Sequence, residues 1–390
     1  MHNLRTMPHS IPGPASSTAL ARLDGIGRAR RALLVEGAPA GGGLVQPWIE
    51  RSWQRCLSIG HVPQQTLAFD ALSAAAMRRA SEASRALTQA ARPVLRELGR
   101  ALADTRYFAI LTNAEGVVVD ANGPIDRRDR RADLITRIGV DLSERSVGTT
   151  AIGAALTELQ PVWLHRGEHF FNDTSIYSCA GAPLFGPFGQ CVGMLDLTGV
   201  DAPERPELKH LVTQSARSIE NTLALHQAHD LLLRLNWPGH RMGEDVDGLI
   251  GLDNDGYVTM GNSAARQMVP PLAAGAVTGS AAIHCSELFA LPFEMLFDAA
   301  RGAPEVVELP LWSGLRLLAQ CASNSGRSAA ALHPVAQVAP AAPDLRRLKD
   351  IETALIRKAV SDAKGNVASA AQRLGVSRAT VYRKLGRKPS

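Results

Sequence analysis

Cysteine is scarce in this chain and nowhere paired. Cys56, Cys179, Cys191, Cys285 and Cys321 are scattered over 390 positions without a C-x-x-C spacing. That excludes a zinc ribbon and a disulfide scaffold, and it fits a reducing cytoplasm. No run of 18 uncharged apolar residues exists, so no membrane span is expected. The opening stretch, "MHNLRTMPHSIPGPASS", has no apolar core of a secretory signal, which argues against export. Also missing is any G-x-x-x-x-G-K-S/T run, the loop whose amides and lysine hold ATP phosphates. No Ser-His-Asp or paired-carboxylate arrangement can be argued from spacing. The chain therefore reads as a cytoplasmic non-enzyme that does not use ATP.

What is present is concentrated at the C-terminus. Residues 345–390 carry a charge of +9, while the preceding 344 residues carry −4. A basic tail on a mildly acidic body localises a nucleic-acid footprint. Within it, "GNVASAAQRLGVSRATVYRKL" reads as two short helices. Asn366 caps the first, Gly375 supplies the left-handed turn, and Ser377 caps the second. Val381 and Leu385, four apart, face inward, leaving Arg378, Thr380, Arg383 and Lys384 on the exposed side. Two helices around a glycine turn, the second rimmed by donors, form helix-turn-helix geometry for the major groove of double-stranded DNA.

The stretch "IETALIRKAVSDAKGNVASAAQRLGVSRATVYRKL" closely resembles the Fis-type helix-turn-helix at the C-terminus of bacterial enhancer-binding regulators. The resemblance implies DNA contacts from Ser377, Arg378, Thr380, Arg383 and Lys384. It also implies a dimerising lead helix with Leu348, Ile351, Leu355 and Ala359 on one stripe.

The body divides by composition and pattern. Residues 1–46, rich in Gly, Pro, Ala and Ser, are expected to be a flexible leader. Residues 47–105 form a helical lead-in, with Leu87, Ala91, Val94, Leu95, Leu98 and Leu102 on one side. In residues 106–235, "YFAILTNAEGVVVDANG" carries a hairpin signal. There "GVDLSERSVGTTAIGAALTEL" reads as helix, "PVWLH", "SCAGAPLFG" and "GQCVGMLDLTG" as strands, and "ELKHLVTQSARSIENTLALHQAHDLLLRL" as a closing helix. The expected fold class is multidomain α+β, here an antiparallel sheet with flanking helices.

The runs "RSWQRC", "TNAEG", "GVDLSERSVGTTAIGAAL", "EHF", "SCAGAPLF" and "GMLDLTG" resemble the GAF sensor of sigma-54-dependent regulators of the acetoin catabolism activator family. Two positions depart from its pattern. Leu142 or its neighbour stands at the usual tryptophan, and Thr150 replaces the asparagine of the G-T-N run. Residues 244–322 resemble a PAS-like module: strand, D-N-D-G turn, strand, a helix capped by Asn262 or Ser263, then two strands around Ser313-Gly314. Residues 323–343 read as an Ala/Pro linker, and 344–390 as the all-α DNA-binding domain. Members of that family normally carry a central AAA+ ATPase, for which this chain has no phosphate loop and no "GAFTGA" run.

Taken together, the expectation is a ligand-responsive transcriptional regulator, homodimeric, whose sensor biases operator binding without remodelling sigma-54 polymerase by ATP hydrolysis. RNA polymerase is a further candidate partner. An architectural DNA-bending protein with a dimerisation scaffold is the alternative. The effector is unassigned beyond a small metabolite such as a short-chain carbonyl or alcohol. Candidate ligand contacts are Trp163, His169, Phe170, Tyr177, Cys179, Thr149 and Thr150. Finally, "HRGEH" (His165 to His169) matches H-x-x-E-H, the inverted zinc-hydrolase signature, which needs both histidines on one helix. Gly167 and the preceding strand favour a polar strand-to-loop corner instead, and no metal site is assigned.

Overall fold

A computed structural model describes residues 14–39, 41–274, 282–301 and 306–323, together with Val367. Two antiparallel sheets organise the chain up to residue 325, which forms one compact unit. Helix α1 (Pro14–Arg30) continues as a π-helical turn, Arg31–Val35, and is followed by α2 (Pro47–Ser58), α3 (Ala74–Ala83) and α4 (Arg85–Ala101). The first sheet has the order β2-β1-β5-β4-β3. Its strands are β1 (Tyr107–Asn113), β2 (Val118–Asn122), β3 (Val162–His165), β4 (Tyr177–Phe185) and β5 (Cys191–Val200). Between β2 and β3 lie α5 (Arg130–Ile135), α6 (Glu144–Val147) and α7 (Ala151–Glu158), and a 3-10 turn, Arg166–Glu168, follows β3. Helix α8 (Leu208–Leu225) closes this half.

The second sheet has the order β8-β7-β6-β10-β9. Its strands are β6 (Leu231–Asn236), β7 (Gly248–Leu252), β8 (Val258–Gly261), β9 (Val306–Pro310) and β10 (Arg316–Ser323). Between β8 and β9 lie α9 (Ser263–Met268), α10 (Pro271–Ala274), α11 (Cys285–Leu288) and α12 (Glu294–Arg301). Asn262 caps α9, its side chain accepting the Ala265 N–H at 2.8 Å.

Strand β1 is buried at every position, because helices cover both faces of its sheet. Alternation then sorts residues between two cores rather than between core and water. Tyr107, Ala109 and Leu111 pack with Leu95 and Leu98 of α4 and Val212 and Ile219 of α8. Phe108 and Ile110 pack on the other side with Trp53, Ile152, Phe170 and Tyr177.

Three expectations need correction. The leader is not flexible throughout: residues 14–35 are helical, and Ile26, Ala29 and Leu33 are buried in the first core. Gly25 and Gly27 make this helix intrinsically weak, so its stability comes from docking. The closing helix also stops early, at Leu225. "LLLRLN" is instead the middle strand of the second sheet, with Leu231, Leu233 and Leu235 fully buried. Its period-2 pattern was hidden behind the 3.6-period run before it. The long lead-in helix is two helices, broken at Ser84.

Candidate functional site

A cavity of about 30 Å³ lies between the first sheet and the layer formed by α5, α7 and the loop after β3. It has room for about two waters. Its walls are mostly apolar, from Ile110, Ile135, Leu142, Val147, Ala151 and Ile152, with Phe69 at the edge. Into this lining project Thr150, His169, Thr174, Tyr177, Cys179, Asp196 and Thr198.

Parity places the strand residues. On β5, Met194, Asp196 and Thr198 share the cavity face, while Leu195 and Leu197 face α8. Asp196 is fully buried, and burial pushes its carboxyl up to about 7. One oxygen, Oδ2, accepts the Thr198 hydroxyl; the other, Oδ1, has no protein partner. The Cys179 Sγ sits 3.3 Å from the Thr198 oxygen. Burial holds that thiol well above its usual range, so it stays protonated and donates along the chain Cys179, Thr198, Asp196.

His169 is equally buried. Its Nδ1 lies 2.9 Å from the Arg166 carbonyl. A carbonyl can only accept, so Nδ1 carries the hydrogen and Nε2 presents a lone pair. Burial pushes the imidazole down to about 4, which keeps it neutral, and Nε2 has no partner. The cavity thus offers one acceptor, at His169, and one acid that donates when protonated, at Asp196. Buried polar atoms left without partners are uncommon and costly. Two lining a single cavity mark it as built for something.

The sequence-derived candidates separate here. His169, Tyr177, Cys179 and Thr150 line the cavity. Tyr177 donates to the Arg131 carbonyl at 3.1 Å, and Thr150 also caps α7 through the Gly153 N–H. Thr149 points away, its Oγ1 2.7 Å from Ser52 Oγ. Phe170 packs edge-on against Phe171 within the core. Trp163 faces the opposite side of the sheet, because Val162 and Leu164 take the cavity face of β3. It lines a separate polar cleft with Trp48 and Lys209. Asp196 and Thr198 escaped the sequence reading; the one available signal was a carboxylate inside the otherwise apolar run "GMLDLTG".

The "RSWQRC" run acts from behind. Arg55 donates to both oxygens of Glu144, at 2.6 and 2.9 Å, and Ser52 donates to Glu144 at 2.6 Å. Together they fasten α2 to the start of α6. Gly148 then turns the chain at φ 65°, where a Cβ would come within 2.8 Å of the Phe171 ring.

The histidines of "HRGEH" do not share a helix. His165 ends β3 with its Nδ1 2.8 Å from Ser178 Oγ, and His169 follows the 3-10 turn. Glu168 accepts the His165 N–H and pairs with Arg22 at 3.2 Å. Among the described residues no group of three or more metal-ligating side chains is assembled. The DNA-facing candidates Ser377, Arg378, Thr380, Arg383 and Lys384 lie outside the described residues, as do the lead helix and the linker apart from Ser323, which ends β10. Among the described residues, no helix is long and apolar enough to cross a membrane.

Comparison with known proteins defines the class first. Residues 347–387 match the model for bacterial regulatory proteins of the Fis family. Residues 24–221, which hold the last turns of α1, the first sheet and the cavity, match the MimR N-terminal domain, and the chain belongs to that family. It is 30% identical over 260 residues to the acetoin catabolism regulatory protein of Cupriavidus necator, covering 64% of this chain and 37% of that protein. It is 29% identical over 182 residues to the propane 2-monooxygenase operon transcriptional activator MimR of Mycolicibacterium goodii, covering 46% of this chain and 30% of that protein. The chain therefore matches only about a third of the length of these relatives. Among solved structures, the Escherichia coli DhaR(N)–DhaL complex matches at 16% identity and a TM-score of 0.43, covering 71% of this chain and 99% of that one.

Proposed function

We propose that this chain is an effector-responsive transcriptional regulator that binds operator DNA through its Fis-type tail. The relatives named as transcriptional regulators and the match to the Fis family support the DNA-directed half of this reading. In it, the first sheet and its helices act as a GAF-type sensor and the second as a PAS-like module. The protein works as a homodimer in the cytoplasm, and RNA polymerase is its further partner. The chain has no phosphate loop, so its own action is occupancy of DNA rather than ATP-driven remodelling of sigma-54 polymerase. The effector shifts the balance between two conformations of different DNA affinity, by as much as it prefers one over the other.

One observation carries the ligand half: His169 Nε2 and Asp196 Oδ1, both buried and unpartnered, line one apolar cavity. A small neutral molecule with a hydroxyl and a carbonyl answers both. Its hydroxyl donates to His169 and its carbonyl accepts from the Asp196 acid. An anionic ligand would meet no counter-charge on these walls, because His169 is neutral there.

The experiment is a thermal-shift screen of the full chain with short-chain hydroxyketones, ketones, diols and alcohols, run beside haem, flavin, cyclic nucleotides and metal ions. A ligand at about 100 times its Kd should stabilise by roughly 2.7 kcal/mol, and Asp196→Leu should abolish the shift. Silence from every small oxygenated compound would refute the effector assignment. Binding to competitor DNA as tight as to an operator would favour the architectural alternative.

A further inference from the structure

The cavity is too small for a four-carbon ligand, so some wall must yield. The strands and α7 are held by their own backbone hydrogen bonds. One irregular wall is the loop 169–174, which contributes His169 and Thr174. That loop also holds the segment carrying Phe69: the Asn172 N–H donates to the Pro63 carbonyl at 2.9 Å and the Leu67 N–H to Asp173 at 3.0 Å.

From outside, one side chain of the N-terminal helical segment clamps the loop. The half-buried Arg30 guanidinium donates to the carbonyls of Gly167 and Phe170, each at 2.9 Å, to the carbonyl of His169, and to Asn172 Oδ1 at 3.1 Å. It also lies over the Trp53 ring, 5.7 Å from its centroid. No carboxylate pairs with it among the described residues. Its charge is satisfied by the loop's oxygens, a geometry that holds only while the loop stays where it is. The backbone contact is close as well, since a Cβ on Gly167 would stand 3.1 Å from Ile26.

We propose that the helical segment 14–35, through Arg30, is a latch on the cavity wall, and that filling the cavity releases it. Widening the cavity moves the loop carbonyls that Arg30 grips, so a docked helix and an occupied cavity oppose one another. Linkage is reciprocal: whatever loosens the helix favours the ligand by the same factor. This rests on the reading of the cavity as the effector site, which it deepens by naming the element that responds.

The test measures backbone hydrogen exchange across residues 14–35 in the full chain, with and without saturating 3-hydroxybutan-2-one. The same measurement is made without additive in Ala151→Met and Cys179→Met, which place bulk in the cavity permanently. Faster exchange confined to 14–35 and 166–174 is expected, on the order of tenfold. Arg30→Met should tighten binding of the probe by a similar factor. If the probe does not bind, the effector reading suffers while the two filled variants still test the latch. Unchanged exchange at 14–35 in a filled cavity, or loosening spread evenly over both sheets, overturns the latch, as does weaker probe binding by Arg30→Met.

Discussion

His169 and Asp196 reach one cavity from opposite sides of the fold, the first from a loop and the second from the middle of β5, and each leaves one polar atom without a protein partner. Neither atom helps the fold. A buried carboxyl with an unanswered oxygen costs stability, and replacement by an apolar side chain of similar size recovers it. Asp196→Leu combined with Thr198→Val, which removes the partner left behind, should therefore stabilise the chain by about 1–3 kcal/mol. The same double variant should lose its response to every small oxygenated ligand. Urea unfolding and the thermal-shift screen read the two effects separately, and a destabilised variant would mean that the carboxyl is structural.

The same pair makes a pH signature. Burial raises Asp196 from 3.8 to about 7, so the folded state holds a proton that the unfolded chain releases. Its contribution is full below pH 4 and is lost as pH climbs to 7, at about 1.4 kcal/mol per pH unit. His169 runs the other way. Lowered from 6.5 to about 4, it costs stability as pH falls through that window. The two slopes oppose between pH 4 and 6.5, as do those of buried Glu220, raised to about 7, and His165, lowered to about 4. Wild type should look nearly flat there. Asp196→Asn should unmask a rising slope, becoming more stable relative to wild type by about 1 kcal/mol for each unit from pH 5 to 7. Parallel profiles for the two proteins would remove Asp196 from the titrating set.

Asn262 joins the two halves of the structured unit. Its Oδ1 accepts the Leu249 and Ala265 N–H groups at 2.9 and 2.8 Å. Its amide donates to Asn221 Oδ1 at 2.7 Å and to the Asp247 carbonyl at 2.8 Å. Asn262→Ala removes a helix cap and leaves four buried groups unanswered, which should cost about 2–4 kcal/mol. Asn262→Asp keeps the acceptor and loses the donors, and should fall between. Denaturant midpoints check the order; equal midpoints for all three proteins would show the network to be replaceable by water.

Much of this architecture was legible in the residues. "TNAEG" forms the β1–β2 turn, with the Glu115 and Val117 N–H groups donating to the Asn113 side chain, and the end of the run read as helix before β3 is α7. The ligand side was harder, for a physical reason. Where helices cover both faces of a sheet, alternation no longer distinguishes inside from outside, so nothing local tells that Asp196 faces a cavity and Trp163 does not. Likewise the glycines of α1 hide a helix that exists by virtue of Arg30 finding partners more than a hundred residues away and of Ile26 and Ala29 entering the first core.

The DNA-binding half is tested by Arg378 and Arg383, which the helix-turn-helix pattern sets on the exposed side of the recognition helix, away from Val381 and Leu385. An arginine that pairs with a guanine edge and one that neutralises a phosphate leave different traces. In the first case, Arg383→Ala costs about 1–3 kcal/mol on the operator and relaxes preference at one base position. In the second, binding weakens on all sequences alike, and the slope of log affinity against log salt shrinks by about one. Either trace supports the assignment, and titration on operator and scrambled duplexes at several salt concentrations tells them apart. Val381→Asp serves as the contrast, since it forces an unpaired carboxylate among the inward side chains and should unfold the motif rather than remove a contact; circular dichroism of the full chain separates those outcomes. If Arg378→Ala and Arg383→Ala together leave affinity, selectivity and salt slope unchanged in a folded protein, the tail does not read DNA through this helix, and the regulator reading falls with it.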